Sequence, residues 1–206
     1  MSANKCAVVI GVSRTSWSPR ENLGADNDAR LMAQVLKSIY NFPIKQIKLL
    51  LNEEATRAKI IEAIKWLKVN ENAESTVVFF FSGHGGGGGG NSYIFGYDMW
   101  LSDSELKTLF SDLKSTKVFL CIQACFSGGF IPDLCGAGRI VVSSTSADSV
   151  VADGKLYSVF GSLFINQAIK HKLGDANHDG VVSVEEAFYY KGMGQICDGY
   201  EGEMIL

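Results

Sequence analysis

Short apolar runs alternate along the chain with longer stretches in which apolar residues recur every three or four positions. That pattern lays helices against a sheet of largely parallel strands, an α/β fold class. The first run, about Cys6 to Val12, predicts a strand. A polar loop through Ser13–Pro19 follows, and then a helix from near Asp26 to Tyr40 with Ala29, Met32, Ala33, Leu36 and Ile39 on its buried stripe. Asn41-Phe42-Pro43 ends that helix, since proline cannot donate the helical bond and disfavours helical geometry before it. Ile47–Leu51 predicts a second strand, and Ile60, Ile61, Ile64 and Leu67 mark a helix beginning after Thr56. Ser75 to Phe81 is apolar at consecutive positions, as a strand covered on both faces requires. Beyond it the pattern predicts a short extended piece at Tyr93–Tyr97 and a helix from Ser102 to Leu113, with Ser102 as cap and Glu105 three residues on. Strands at Lys117–Ile122 and Arg139–Ser144 come next, then helices at Tyr157–His171 and Val184–Lys191.

Composition narrows the classes. At 206 residues, 47% hydrophobic and 20% charged, the chain can bury a full core without disulfides. A net charge of -3 gives no general electrostatic reason to hold nucleic acid or an anionic membrane, so neither is an expected partner. The apolar run Val77–Phe81 is far too short to span a bilayer. Met1-Ser2-Ala3-Asn4 leads straight into the first strand without a leader pattern. A cytoplasmic protein is the expectation, with an extracellular fragment as the alternative. The odd count of five cysteines makes reduced thiols the default.

Two strands end in a reactive residue beside glycine: Ser82-Gly83-His84-Gly85 and Gln123-Ala124-Cys125-Phe126-Ser127-Gly128. In an open parallel sheet both endings lie on the rim where ligands bind. A thiolate is a nucleophile, and a neighbouring imidazole takes its proton. Gly85 admits a substrate backbone, and the amides of Gly85 and Cys125 are candidates for holding an oxyanion. Cys6 and Cys121 lie inside strands and read as small buried hydrophobes, while Cys135 and Cys197 lie in loops with no partner motif. The glycine run Gly85–Gly90 is followed by no Lys-Ser or Lys-Thr, so a nucleotide loop is excluded and a mobile segment beside the site is expected.

At these residues the chain resembles the caspase-like cysteine peptidases, the group of caspases, metacaspases, legumains and clostripain-type enzymes. Gln123-Ala124-Cys125 is similar to the caspase signature, and His84 stands 41 residues upstream where caspases have about 50. Phe126-Ser127-Gly128 and Asn27-Asp28-Ala29 look instead like metacaspases. The resemblance runs from about Lys5 to Ile169. It implies a six-stranded sheet of order 2-1-3-4-5-6, helices on both faces, and a Cys/His dyad with no obligatory third member.

The same resemblance points to a substrate pocket with two opposed preferences. Acids in the Asn-Asp-Ala segment favour Arg or Lys before the cut bond in metacaspases, and Asp28 matches that position with Asp26 close by. Gln123 matches the caspase glutamine that helps hold a substrate Asp, a role in which Arg14 or Arg20 would assist. The plainer readings are helix capping for Asp26 and Asp28 and solvated loop charge for the arginines. Ser144 and Asp148, in Ser144-Thr145-Ser146-Ala147-Asp148, resemble a pocket-lining segment of the group. The balance of carboxylates favours a basic residue.

Asp175 to Glu186 follows the twelve-residue calcium-loop template: Asp175, Asn177 and Asp179 at positions one, three and five, Gly180 at six, the Val181 carbonyl at seven, Ser183 at nine and Glu186 at twelve. Similar loops occur in EF-hands and dockerin repeats. The expected organisation is a peptidase core over 1–172 with the calcium loop, last helix and terminal segment over 173–206 packed on it. The expected function is a cysteine endopeptidase on peptide or protein substrates, with calcium as cofactor. Its rivals are a catalytically silent, calcium-dependent interaction module and another acyl-transfer enzyme using the same dyad.

Overall fold

The computed structural model describes residues 4–150 and 156–206. In chain order the first half comprises β1 (Lys5–Gly11), α1 (Ala25–Ser38), β2 (Ile47–Leu51), α2 (Arg57–Asn70), β3 (Thr76–Ser82), β4 (Gly85–Gly88), β5 (Asn91–Phe95), β6 (Trp100–Ser102) and α3 (Asp103–Phe110). The second comprises β7 (Lys117–Gln123), α4 (Ile131–Leu134), β8 (Arg139–Ser143), a π-wound helix Gly161–Lys170, α5 (Val184–Tyr189) and β9 (Gln195–Asp198).

The main sheet has the order β2-β1-β3-β7-β8-β9, parallel except for β9, which runs antiparallel to β8. This differs from the expected 2-1-3-4-5-6, because the fourth to sixth strands of the chain form a separate antiparallel sheet, β4-β5-β6. The difference originates in the glycine run. Gly85–Gly88 is a strand paired with Asn91–Ile94, and Gly89 and Gly90, both at positive φ (61° and 84°), make the two-residue turn of a hairpin. A run expected to be mobile is therefore a paired strand. Glycine suits it because Gly87 abuts the Phe126 side chain, where an added Cβ would come within 2.9 Å of Phe126 Cβ.

Each central strand divides its side chains between two cores, as a period of two on a sheet covered on both faces requires. Val77, Phe79 and Phe81 of β3 join Ile60, Ile64 and Leu67 of α2 and Leu106 and Phe110 of α3. Val78 and Phe80 face the other way, toward Met32, Val35 and Leu36 of α1 and Phe164 and Ile165 of the π-wound helix. Val182, Val184, Phe188, Met204 and Leu206 belong to that second core, so residues 173–206 are built into the same body as the rest. The chain from Gln195 to Asp198, for which no strand was expected, supplies the sheet edge. Cys135 and Cys197, expected to be reduced, are joined by a disulfide with their Cα atoms 6.0 Å apart, tying the segment after α4 to β9. Among the described residues no helix is long and apolar enough to cross a membrane.

Candidate active site

Strand register places the two reactive residues. Ser82 and Gln123 are paired at the carboxyl ends of β3 and β7, and the Gly83 amide donates to the Gln123 carbonyl (3.1 Å). His84 and Cys125 each follow two residues after that pair, on neighbouring parallel strands and on the same rim. Both are half-buried. Gly85 lies against Cys125 so closely that an added Cβ would overlap the Cys125 carbonyl oxygen and sit 2.8 Å from Ala124 Cβ. The Phe95 amide donates to the His84 carbonyl (3.0 Å), so His84/Phe95 is a hydrogen-bonded pair and Gly85/Ile94 the next, non-bonded one. That alternation turns the Gly85 N–H away from β5. A cavity of about 200 Å³ opens beside His84, lined by Trp17, Gly85 and Phe95. A larger one, about 620 Å³, lies elsewhere, bounded by Arg57, Asp98, Trp100 and Glu105.

The turn after Cys125 is tight. Phe126 holds φ 59°, ψ 17°, a left-handed conformation costly for a residue with a Cβ. It is fixed from outside: its amide donates to the Ser149 carbonyl (2.8 Å), and its carbonyl accepts from the Gly129 amide and the Ser92 hydroxyl (3.2 Å each). Ser144 proves to be a support for this turn. Its hydroxyl accepts from the Ala124 amide (3.2 Å), while Thr145 Oγ1 donates to the Ala124 carbonyl (3.1 Å) and accepts from the Ser127 amide (3.2 Å). These buried hydroxyls hold the backbone on both sides of Cys125.

Behind His84 and Cys125 lies a buried polar cluster. Asp28 is fully buried, its carboxylate accepting from Ser82 Oγ (2.9 Å) and from the Ser158 amide (3.2 Å) just before the π-wound helix. Gly161 makes room for that carboxylate, because a Cβ there would collide with it. Ser82 Oγ also contacts Gln123 Oε1. One hydroxyl proton cannot serve two acceptors, so a Gln123 amide turned to donate to Ser82 lets Ser82 donate to Asp28. Asp28 and Gln123 are thus brought together at Ser82. Asp26 is not with them: its carboxylate accepts from the Ser13 hydroxyl, and its amide donates to that same oxygen (2.9 Å), fastening the first loop to α1. Asp148 is exposed on the loop that backs Phe126. Arg14, a candidate for an acidic substrate, pairs with Glu53 at 2.7 Å.

The thiols separate by environment. Burial, then the Glu71 charge, pushes Cys6 up to about 12, and burial, then the Asp28 charge, raises Cys121 well above the ordinary thiol range. Both stay protonated and inert. Two contributors had no sequence signal. Ser82 bridges Asp28 and Gln123, and Glu21, in the loop after β1, meets His84 Nε2 at 2.7 Å across 63 positions of chain.

At the other end of the molecule, the loop Asp175–Glu186 is ordered by its own candidate ligands. Asp175 accepts from the Gly180 amide (3.0 Å), Asn177 from the Asp179 amide (2.9 Å) and Asp179 from the Val181 amide (2.8 Å). Glu186 accepts from the amides of Ala176 and Ser183 (3.0 Å each), and the buried Ser183 hydroxyl caps α5. Among the described residues no three His, Cys, Asp or Glu side chains form a group that could hold a metal ion. Asp175 Oδ1, however, is buried with no hydrogen-bond partner, and Asn177 with the Val181 carbonyl would complete an all-oxygen set suited to calcium. The donors fit the ion in chemistry.

Comparison with known proteins agrees with the geometry. The profile of the caspase domain family matches residues 4–196. The chain belongs to the caspase domain family. As a peptidase domain it implies a peptide or protein substrate. Solved structures of similar fold include the two that follow. Protein GSU0716 from Geobacter sulfurreducens superimposes with a TM-score of 0.75 at 14% identity, covering 97% of this chain and 94% of that one. Caspase-1 from Spodoptera frugiperda does so with a TM-score of 0.66 at 16% identity, covering 98% and 88%. No curated protein shows a significant sequence match.

Proposed function

We propose that the chain is a cysteine endopeptidase working through Cys125 and His84. The observation that carries this reading is the register of β3 and β7, which sets both residues two positions beyond one paired site, Ser82/Gln123, within a caspase domain. The Sγ proton of Cys125 passes to His84, and the sulfur attacks the peptide carbonyl carbon. The tetrahedral oxyanion is held by the amides of Gly85 and Cys125. His84 then gives the proton to the departing amine, leaving a thioester that water hydrolyses.

Asp28 is the floor of the pocket for the residue before the cut bond, and its carboxylate favours Arg or Lys. It is buried and bonded to the Ser158 amide, so a guanidinium reaches it only when that amide is displaced. Ser144 acts here by supporting the nucleophile, and Asp148 lies too far out on the loop to share the floor. Asp175, Asn177, Asp179, the Val181 carbonyl, Ser183 and Glu186 would hold a calcium ion. Bound there, the ion supplies positive charge to three carboxylates and stabilises the folded state by about 2.7 kcal/mol at a hundredfold excess over Kd.

One experiment tests these parts separately. Peptides with Arg, Lys, Asn or Asp before the cleavable bond are assayed with calcium or with chelator, using Cys125→Ala and Asp28→Asn as variants. Cleavage after Arg and Lys, lost in both variants, is expected. No turnover of any peptide points to the silent interaction module, and cleavage only after Asp sinks the basic pocket. An identical melting temperature with calcium and with chelator removes the calcium site.

A further inference from the structure

The loop after β1 reaches over the rim and is braced at several points. Thr15 and Ser18 form a bridge, the Ser16 amide donates to the Tyr97 carbonyl (2.8 Å), and the Leu23 amide donates to the Ser13 carbonyl (3.3 Å). Trp17 packs edge-on against Phe95 at 5.9 Å, and the Glu21 amide donates to the Ser18 carbonyl (3.2 Å). This bracing presents the Glu21 carboxylate to His84, with Oε2 2.7 Å from Nε2.

Building on the peptidase reading, we propose that Glu21 is a positioning residue for His84, a third member of the catalytic group. The chemistry follows from proton inventory. An ionised carboxylate only accepts hydrogen bonds, so the proton of a neutral His84 lies on Nε2 and the lone pair on Nδ1. Nδ1 is then the atom that takes the Cys125 proton and returns it to the leaving amine. Glu21 keeps its charge throughout and stabilises the imidazolium without becoming protonated. The two side chains are 34% and 31% exposed, and ion pairs so open to water contribute little to folding. The contact therefore matters to the reaction more than to stability. A dyad that needs no third member leaves this pairing unexplained.

Three measurements test the proposal on the full chain. Glu21→Gln and Glu21→Ala are expected to lower kcat about 10- to 100-fold, the range for partners that orient a reacting group, with KM changed less than about twofold. Glu21→Asp is expected to recover part of the loss. Alkylation of Cys125 by iodoacetamide at pH 7, corrected with Cys125→Ala, slows in parallel, because it reports the thiolate without any peptide. With only three histidines in the chain, nitrogen-15 spectra with His84→Gln for assignment identify the tautomer. An Nε2–H form in wild type and a mixture in Glu21→Ala support the proposal. An Nδ1–H form, or kcat and alkylation rates unchanged in both variants, overturns it. If no peptide is cleaved, the peptidase reading fails alone, and the alkylation and tautomer measurements still decide the role of Glu21.

Discussion

At the scale of single residues, the rim is governed by close approach. Gly85 touches the Cys125 backbone, and Phe126 accepts a left-handed backbone so that the chain can turn immediately after Cys125. Gly85→Ala must push the two strand ends apart. We expect it to cost about 1–3 kcal/mol in denaturant unfolding and at least roughly 100-fold in kcat, as a displacement near 1 Å at reacting groups does. Loss of stability without loss of turnover would show that the Gly85 contact is packing alone. The placement of Cys125 and His84 on one rim was legible in sequence because both sit in short motifs at strand ends. Glu21 was not, because a single glutamate in a polar loop carries no periodicity and meets its partner only after the sheet has formed. Asp26 and Asp28 illustrate the same limit. They are two residues apart in one helical turn, yet one fastens a loop and the other enters the buried cluster.

At the scale of elements, local signals that act over a few residues proved reliable. The capping box at α3 forms as Ser102 and Glu105 dictate, the Glu105 amide reaching Ser102 Oγ at 3.2 Å and Glu105 Oε2 accepting from the Ser102 amide at 3.0 Å. Ser102→Ala is expected to lower stability by about 1 kcal/mol, read from the midpoint of denaturant unfolding. The Ser102 amide first, and Arg57 beside it, hold the Glu105 carboxyl below its usual 4.5. A carboxyl lowered in the folded state stabilises above its unfolded value, and that contribution fades as pH falls through the folded one. Unfolding midpoints of wild type and Glu105→Gln should thus differ at pH 7 and converge only as pH falls through the lowered folded-state value; a difference that persists in strong acid would assign the effect to packing. The β4–β5 hairpin escaped sequence reading because glycine has no side chain whose alternation could announce a strand. The edge strand β9 escaped because Gln195–Asp198 is short and only half-buried.

Across the whole molecule, the described core is one body closed by its last residues. The Cys135–Cys197 disulfide fastens β9 across a sequence separation of 62, and nothing in the spacing of five cysteines selected that pair. Reduction, or Cys135→Ser, is expected to cost about 2–4 kcal/mol of stability; a melting temperature that ignores reductant would deny the bridge a structural role. The π-wound helix connects the two ends of the fold. Its start faces Asp28 through the Ser158 amide and the open side of Gly161, and at its end the Gly174 amide donates to the Ala168 carbonyl (3.2 Å), one residue before the calcium-type loop. A substrate that displaces Ser158 and an ion that tightens the loop would act on the same helix from opposite ends. Equilibrium thermodynamics makes any such influence mutual: the factor by which calcium changes peptide affinity is the factor by which peptide changes calcium affinity. If the proposed peptidase and calcium sites both hold, the peptide preference of the rim would be read, in a Cys125→Ala chain, as a shift in calcium affinity at a distant loop.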